Sequence, residues 1–257
     1  MALISICASL STLKSKGFDT VGTRQKTSDD DYIIENVNNI KLGITSYTYG
    51  EIKNGTKYLN GIKVSSDKTD LMNVFDTSDV NKAFDTIYST VKKYQDDTDM
   101  QIVIIHWGDE YSRTPNDFQK KLAQKLCDAG VDIIIGSHPH VVEPVETIKS
   151  TDGKNETLVI YSLGNFLSTM KDVYNQLEGM VCFDFVKKED EISIENIQYV
   201  PLVNHYNDNV VTIYSLKEYT STLASQHSIL KDQADIIKEF KNYVKQMISN
   251  DDIDIEM

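Results

Sequence analysis

The chain is poor in the features that would assign it quickly to a class. Its 257 residues hold three cysteines, Cys7, Cys127 and Cys182, far apart in the sequence. They form no ligand pair, and an odd, scattered set supplies no disulfide framework. Cys127 falls on the apolar face of a helical pattern and reads as core. No run approaches the ~20 apolar residues that a bilayer-spanning helix needs. The opening stretch 1–10 is apolar but lacks a basic flank and is too short for a secretory signal. It reads instead as the front of a helix running to about Ser15 and closed by Lys16-Gly17. Positive charge is scarce: 26 Lys and Arg face 39 Asp and Glu, for a net charge of −13. A surface this acidic argues against nucleic acid and anionic membrane as partners, since both carry phosphate, and suits cations. There is no internal repeat and no clear linker, so residues 1–257 read as a single domain.

What is present begins with β-rich runs at 32–37 and 40–47, joined by Asn38-Asn39 as a hairpin. Residues 48–76 are polar, carry Gly50, Gly55 and Gly61, and read as a long loop or small excursion. Val80, Phe84, Ile87 and Val91 recur at helical spacing within 79–95. A βαβ pattern follows. Strand 101–106 leads to a helix opened by Thr114-Pro115 and lined by Phe118, Leu122 and Leu126; Gly130 closes it before strand 131–136. Strands this apolar, with a helix between them, should be parallel neighbours whose carboxyl ends share one sheet edge. Ligands bind at such edges. Later come strands at 157–163 and 209–215, a hairpin of 179–186 with 191–202, an amphipathic helix at 229–248, and a frayed acidic tail at 250–257.

The most informative stretch is His138-Pro139-His140, at the end of the apolar run 131–137. Pro139 pushes residue 138 into extended backbone, where imidazoles two residues apart point to one side. His106 ends the neighbouring run, so His106, His138 and His140 can meet at one sheet edge. Neutral imidazole is a common ligand for zinc, manganese or iron, so the cluster reads as a metal site for one ion, or a share of two. Asp109, Glu110 and Asn165 are the nearby oxygen donors. Glu110 reads either as an active-site group or as a solvated loop charge. Asn165, after Gly164, reads either as a turn residue or as a ligand. Arg113 could meet an anionic substrate or simply flank a helix. His205 and His227 lack partners in the pattern and read as surface residues.

Three stretches, His106-Trp107-Gly108-Asp109-Glu110-Tyr111, Gly136-Ser137-His138-Pro139-His140-Val141 and Tyr161-Ser162-Leu163-Gly164-Asn165-Phe166, occur in that order. Together they resemble the capsule-synthesis, or poly-gamma-glutamate synthesis, protein family (CapA type), which belongs with the calcineurin-like metallophosphatases. Pro115, Gln119 and Ala123 also fit the family's helix, and the likeness is best over residues 10–170. The resemblance implies an α/β fold, a four-layer α/β/β/α metallophosphatase sandwich. It implies metal-ligand roles for His106, His138 and His140, with Glu110 and Asn165 as candidate catalytic residues. The family opens with Gly-Asp, a Glu motif and Asn-Asn-His, none of which is present. The expectation is therefore a partial sandwich lacking its first strands, with an incomplete metal site, little activity on phosphoesters, and any amino-terminal membrane anchor lost. Strand 101–106 or a neighbour should then be left as an unpaired edge, and the chain poorly soluble or oligomeric.

The resemblance leaves two functions in play. One is a metal-dependent hydrolase acting on an anionic cell-envelope polymer, such as poly-gamma-glutamate, or on a phosphoester. It would use a divalent transition metal (Mn, Zn or Fe), with two ions in a full-length relative. The other is a non-catalytic assembly or export component of a membrane-bound polymer-synthesis complex. The resemblance places either one at the cell envelope or outside the cell.

Overall fold

The computed structural model describes residues 2–189, 191–248 and 250–257. Met1, at the head of the first expected helix, and Asp190, in the turn of the expected hairpin, lie outside the described residues. The protein is a mixed α/β structure that divides into two compact units interleaved along the chain. One comprises Met1–Trp107, Lys120–Ile135 and Lys149–Thr157; the other comprises Gly108–Gln119, Gly136–Ile148 and Leu158–Met257. No helix among the described residues is long and apolar enough to cross a membrane.

The first unit opens with α1 (Ala2–Ser15). It ends as its sequence suggests: Gly17 takes a φ of 80° and the Phe18 amide donates to Leu13 O at 3.1 Å. β1 (Ile33–Val37) and β2 (Ile40–Lys53) form the expected antiparallel hairpin. Asn38 and Asn39 both hold positive φ, 52° and 65°, which a two-residue hairpin turn requires. Residues 48–76 are a correction to the expected loop. β2 runs on to Lys53 and pairs with β3 (Thr56–Leu59), which pairs with β4 (Ile62–Lys63). The turns are Asn54-Gly55 and Asn60-Gly61, all four residues at positive φ. Asn-Gly is the strongest short-range hairpin signal, and the polar strands around it hid it. β5 (Val74–Asp76) then pairs with β2 in parallel.

α2 (Val80–Val91) is capped by Asp79, whose carboxylate accepts from the Asn81 and Lys82 amides. It buries Ala83, Ile87 and Val91. β6 (Met100–His106) pairs with β2 in parallel and is buried along almost its whole length, which is why it reads as a continuous apolar run. α3 (Asp117–Asp128) begins later than expected. Its cap is Asn116, not Thr114-Pro115. The Gln119 amide donates to Asn116 Oδ1 at 2.9 Å and the Asn116 amide donates to Gln119 Oε1 at 2.9 Å, a reciprocal capping box. Leu122, Leu126 and Cys127 are fully buried on α3, while Phe118 is only half-buried.

β7 (Ile133–Ser137), β8 (Val145–Lys149) and β9 (Glu156–Ile160) complete a sheet whose order is β4-β3-β2-β6-β7-β9-β8, with β1 and β5 also on β2. β6 is therefore an interior strand between β2 and β7, and the expected unpaired edge does not form there. β8 had no counterpart among the sequence expectations.

In the second unit, β10 (Leu177–Lys188) and the 17-residue β11 (Glu191–Asn207) pair antiparallel, with a register shift between Cys182 and Asp184. β12 (Val210–Ser215) pairs with the far end of β11. The tail is not frayed: β13 (Asp254–Ile255) pairs in parallel with β11, and Ile253 is buried. The expected helix at 229–248 is broken. α4 (Ser221–Gln226) is followed by a 3-10 turn at Leu230–Asp232, and α5 (Ile236–Met247) starts only after Asp235, whose φ of 57° interrupts the spiral.

Ile105 on β6 is fully buried. Ile105→Ala should cost about 2–5 kcal/mol. Urea denaturation should show a lower midpoint with an unchanged slope.

Candidate metal centre

β7 ends at Ser137, and the chain then turns through His138-Pro139-His140. The backbone here is not extended. His138 has φ 111° and His140 φ 61°, so strand alternation is not what brings the rings together. A bend does so, with ring centroids 5.9 Å apart. Positive φ in non-glycine residues costs on the order of 1–3 kcal/mol each and persists only where surroundings over-determine it. Those surroundings are visible. The Tyr111 amide, itself at φ 64°, donates to Pro139 O at 2.7 Å. His140 O accepts from Asn175 Nδ2 at 2.7 Å and from Asn165 Nδ2 at 3.1 Å.

Glu110, His138 and His140 each offer a ligand atom, and these atoms lie within 4.8 Å of one another. The imidazoles are half-buried and the carboxylate is exposed. Burial lowers the pKa of His138, and the nearby Glu110 carboxylate opposes that shift. The net direction favours neutral imidazole, the form that binds metal.

Asn165 settles the tautomer of His140. Its Nδ2 is committed to His140 O, so its Oδ1 faces His140 Nδ1 at 2.7 Å and accepts from Nδ1–H. The lone pair then sits on Nε2. This is how outer partners orient histidine ligands in metal sites. Asn165 is thus more than a turn residue. Its own amide donates to Glu178 Oε2. Gly164, at φ 79°, must be glycine, because a Cβ there would collide with the same carboxylate.

Glu178 is fully buried, and desolvation pushes its carboxyl up to about 8 against the hydrogen bonds from the Phe166 and Asn165 amides. Sequence reasoning missed it, and missed the buried pair formed by Gln119 Nε2 donating to Glu143 Oε2 at 2.9 Å. The one available signal was a glutamate placed inside an apolar strand start, Leu177-Glu178-Gly179.

The remaining candidates have partners of their own. His106 lies in the first unit, where its Nδ1 is 3.1 Å from Thr48 Oγ1 and its ring stacks on Tyr49 at 5.6 Å. Asp109 accepts from Asn116 Nδ2 at 2.8 Å. Arg113 packs its guanidinium over Tyr174, 3.9 Å from the ring centroid. His205 and His227 are not surface residues but buried ones. His227 Nδ1 accepts from the Ile229 and Leu230 amides, so its Nε2–H donates to Asn204 O at 3.0 Å. His205 Nδ1 is 2.7 Å from Tyr219 Oη. The Tyr219 and Asn204 partners are distant in sequence, and no local pattern reveals them.

Glu178 makes stability depend on pH. Its carboxyl has an ordinary value of 4.5 in the unfolded chain and about 8 when folded. Between those values the unfolded chain releases a proton that the folded chain keeps, so stability falls as pH rises through that window. Glu178→Gln should flatten this slope. Denaturant titrations across the window, wild type against variant, check it; equal slopes would remove Glu178 from the account.

Comparison with known proteins places the chain. The family described as bacterial capsule synthesis protein PGA_cap matches residues 4–170. The PGA biosynthesis protein CapA of Bacillus subtilis (strain 168) is 46% identical over 84 residues, 33% of this chain and 20% of that protein. The capsule biosynthesis protein CapA of Bacillus anthracis is 37% identical over 87 residues, 32% of this chain and 20% of that one. The matched stretch therefore spans about a fifth of the length of these relatives. Among solved structures, a Staphylococcus aureus protein assigned as a 5'-nucleotidase and solved with alpha-ketoglutarate is similar at 15% identity and a TM-score of 0.41. That likeness covers 86% of this chain and 36% of the other. The family match runs from α1 past the Gly164-Asn165 turn, more than half the sequence, and the chain belongs to the bacterial capsule synthesis protein family.

Proposed function

We propose that the protein is a metal-dependent, metallophosphatase-like hydrolase of the cell envelope, acting on an anionic capsule polymer such as poly-gamma-glutamate, or on a phosphoester. The observation that carries this reading is the convergence of Glu110, His138 and His140 within 4.8 Å. Two imidazoles and a carboxylate form a donor set suited to manganese, zinc or iron. The donor chemistry fits: His138 is held toward its neutral form, and His140 presents Nε2 because Asn165 occupies Nδ1. A bound divalent metal supplies Lewis acidity toward a phosphoryl or acyl oxygen and a water of lowered pKa. The chain's own part is to hold the donors. Asn165 keeps the His140 ring from turning, the His140 carbonyl is pinned by Asn175, and Glu110 contributes the negative charge that offsets a cation.

Calorimetry with manganese or zinc tests the site. Micromolar or weaker binding is expected, abolished by His138→Ala with His140→Ala. Asn165→Ala, which keeps all three donors, should weaken binding by about 10–100-fold through loss of ring orientation. His106→Ala asks separately whether that residue contributes. Hydrolysis of poly-gamma-glutamate or of a model phosphoester should depend on added metal and vanish in the double variant. Metal binding with no turnover of either substrate would favour the assembly-component reading, and no metal binding at all would sink the proposal.

A further inference from the structure

A groove of about 590 Å³ lies between α4 and α5, well away in sequence from the histidine loop and within the second unit. Its volume falls in the range of ligand clefts, ~300–1,000 Å³. Lys231, Lys238, Lys241 and Lys245 line it, with Asp235 as the one acidic residue among the lining. This is out of keeping with the chain as a whole, where 26 cationic residues face 39 acidic ones. Among the described residues none of these four lysines takes part in an ion pair, although lysines elsewhere do.

We propose that this lysine-lined groove binds a segment of a linear polyanion, one bearing a negative charge at each repeat. Lys238, Lys241 and Lys245 recur at intervals of three and four residues, so they share one face of α5. Like charges at these spacings repel one another, a cost that an anionic occupant relieves. Over the seven steps from Lys238 to Lys245 the row extends ~10 Å along the helix axis. That is a track of charges rather than a pocket for one small anion. Ammonium groups act as point charges and suit carboxylate and phosphate alike, so the shared chemistry is a repeating anion. An anionic membrane is the poorer occupant. A helix that lies on a bilayer inserts its apolar face, and on α5 that face, Ile236, Phe240, Val244 and Met247, is already buried in the protein. The groove also answers a difficulty of the anionic-polymer reading, since a net charge of −13 repels such a polymer unless a local cationic surface receives it. The inference deepens that reading by giving the polymer a contact surface separate from the proposed metal donors.

The test is a binding titration of the full chain with oligomers of poly-gamma-glutamate and, in parallel, with inorganic polyphosphate, both without added metal. Saturable binding that weakens with salt is expected for at least one, and the stronger of the two names the carboxylate or the phosphate source. The triple change Lys238→Gln, Lys241→Gln and Lys245→Gln should weaken it by about tenfold, as three exposed ion pairs would together contribute. Lys→Arg at the same three positions, which keeps the charge, should restore it and guards against a folding artefact. The His138→Ala, His140→Ala variant should bind polymer as the wild type does, and the lysine variant should keep its metal binding. Failure of the metal proposal and failure of this one are therefore distinguishable. Equal binding by wild type and the glutamine variant overturns the proposal. So does binding to vesicles of anionic lipid with none to either polymer.

Discussion

One carboxamide governs the candidate centre. Asn165 receives the ring N–H of His140 on its oxygen and gives its own N–H to the carbonyl of the same residue. Ring tautomer and backbone are fixed by a single side chain. That matters because His140 and His138 both occupy positive φ, a conformation the chain would leave if nothing held it. Asn165 is in turn held from below by the buried Glu178, and Gly164 is what lets the turn approach that carboxylate. The dependence runs outward from a buried, desolvated acid, through an amide, to a half-buried imidazole.

Charge is distributed with comparable economy. The chain is strongly acidic, yet four of its lysines line one groove of the second unit, with Asp235 the one acidic residue beside them. A uniformly negative surface would repel both an anionic polymer and its own carboxylates. Dividing the surface allows cations to be drawn to one place and anions to another. The metal reading and the groove reading address different charges, and each stands on residues that the other does not use.

Much of this was legible in the sequence. Hydrophobic period marked α2, which buries one face, and continuous apolar runs marked β6 and β7, which are covered on both. Three motifs in order marked the family. Histidines two residues apart marked the candidate centre, but a bend at Pro139 brings the rings together where an extended strand was expected. Polar hairpins at 54–61 escaped because period-two alternation weakens when a strand buries little of either face, and the Asn-Gly pairs were the signal to weigh instead.

The sequence by itself determined the segments with a strong apolar pattern, such as α2, β6 and β7, where the chain turns at Asn38-Asn39 and Gly130, and which residue types could bind a cation. Only the tertiary structure decided which of them meet. Glu110 joins His138 and His140 across more than twenty residues of intervening chain, while His205 and His227, equally capable ligands, are used up by a tyrosine and by backbone groups. The same holds for Glu178, an ordinary glutamate in the sequence whose chemistry exists only because folding removes water from it. Local pattern reports what a backbone segment prefers. Proximity between distant segments, and the desolvation that follows from it, are properties of the packed chain.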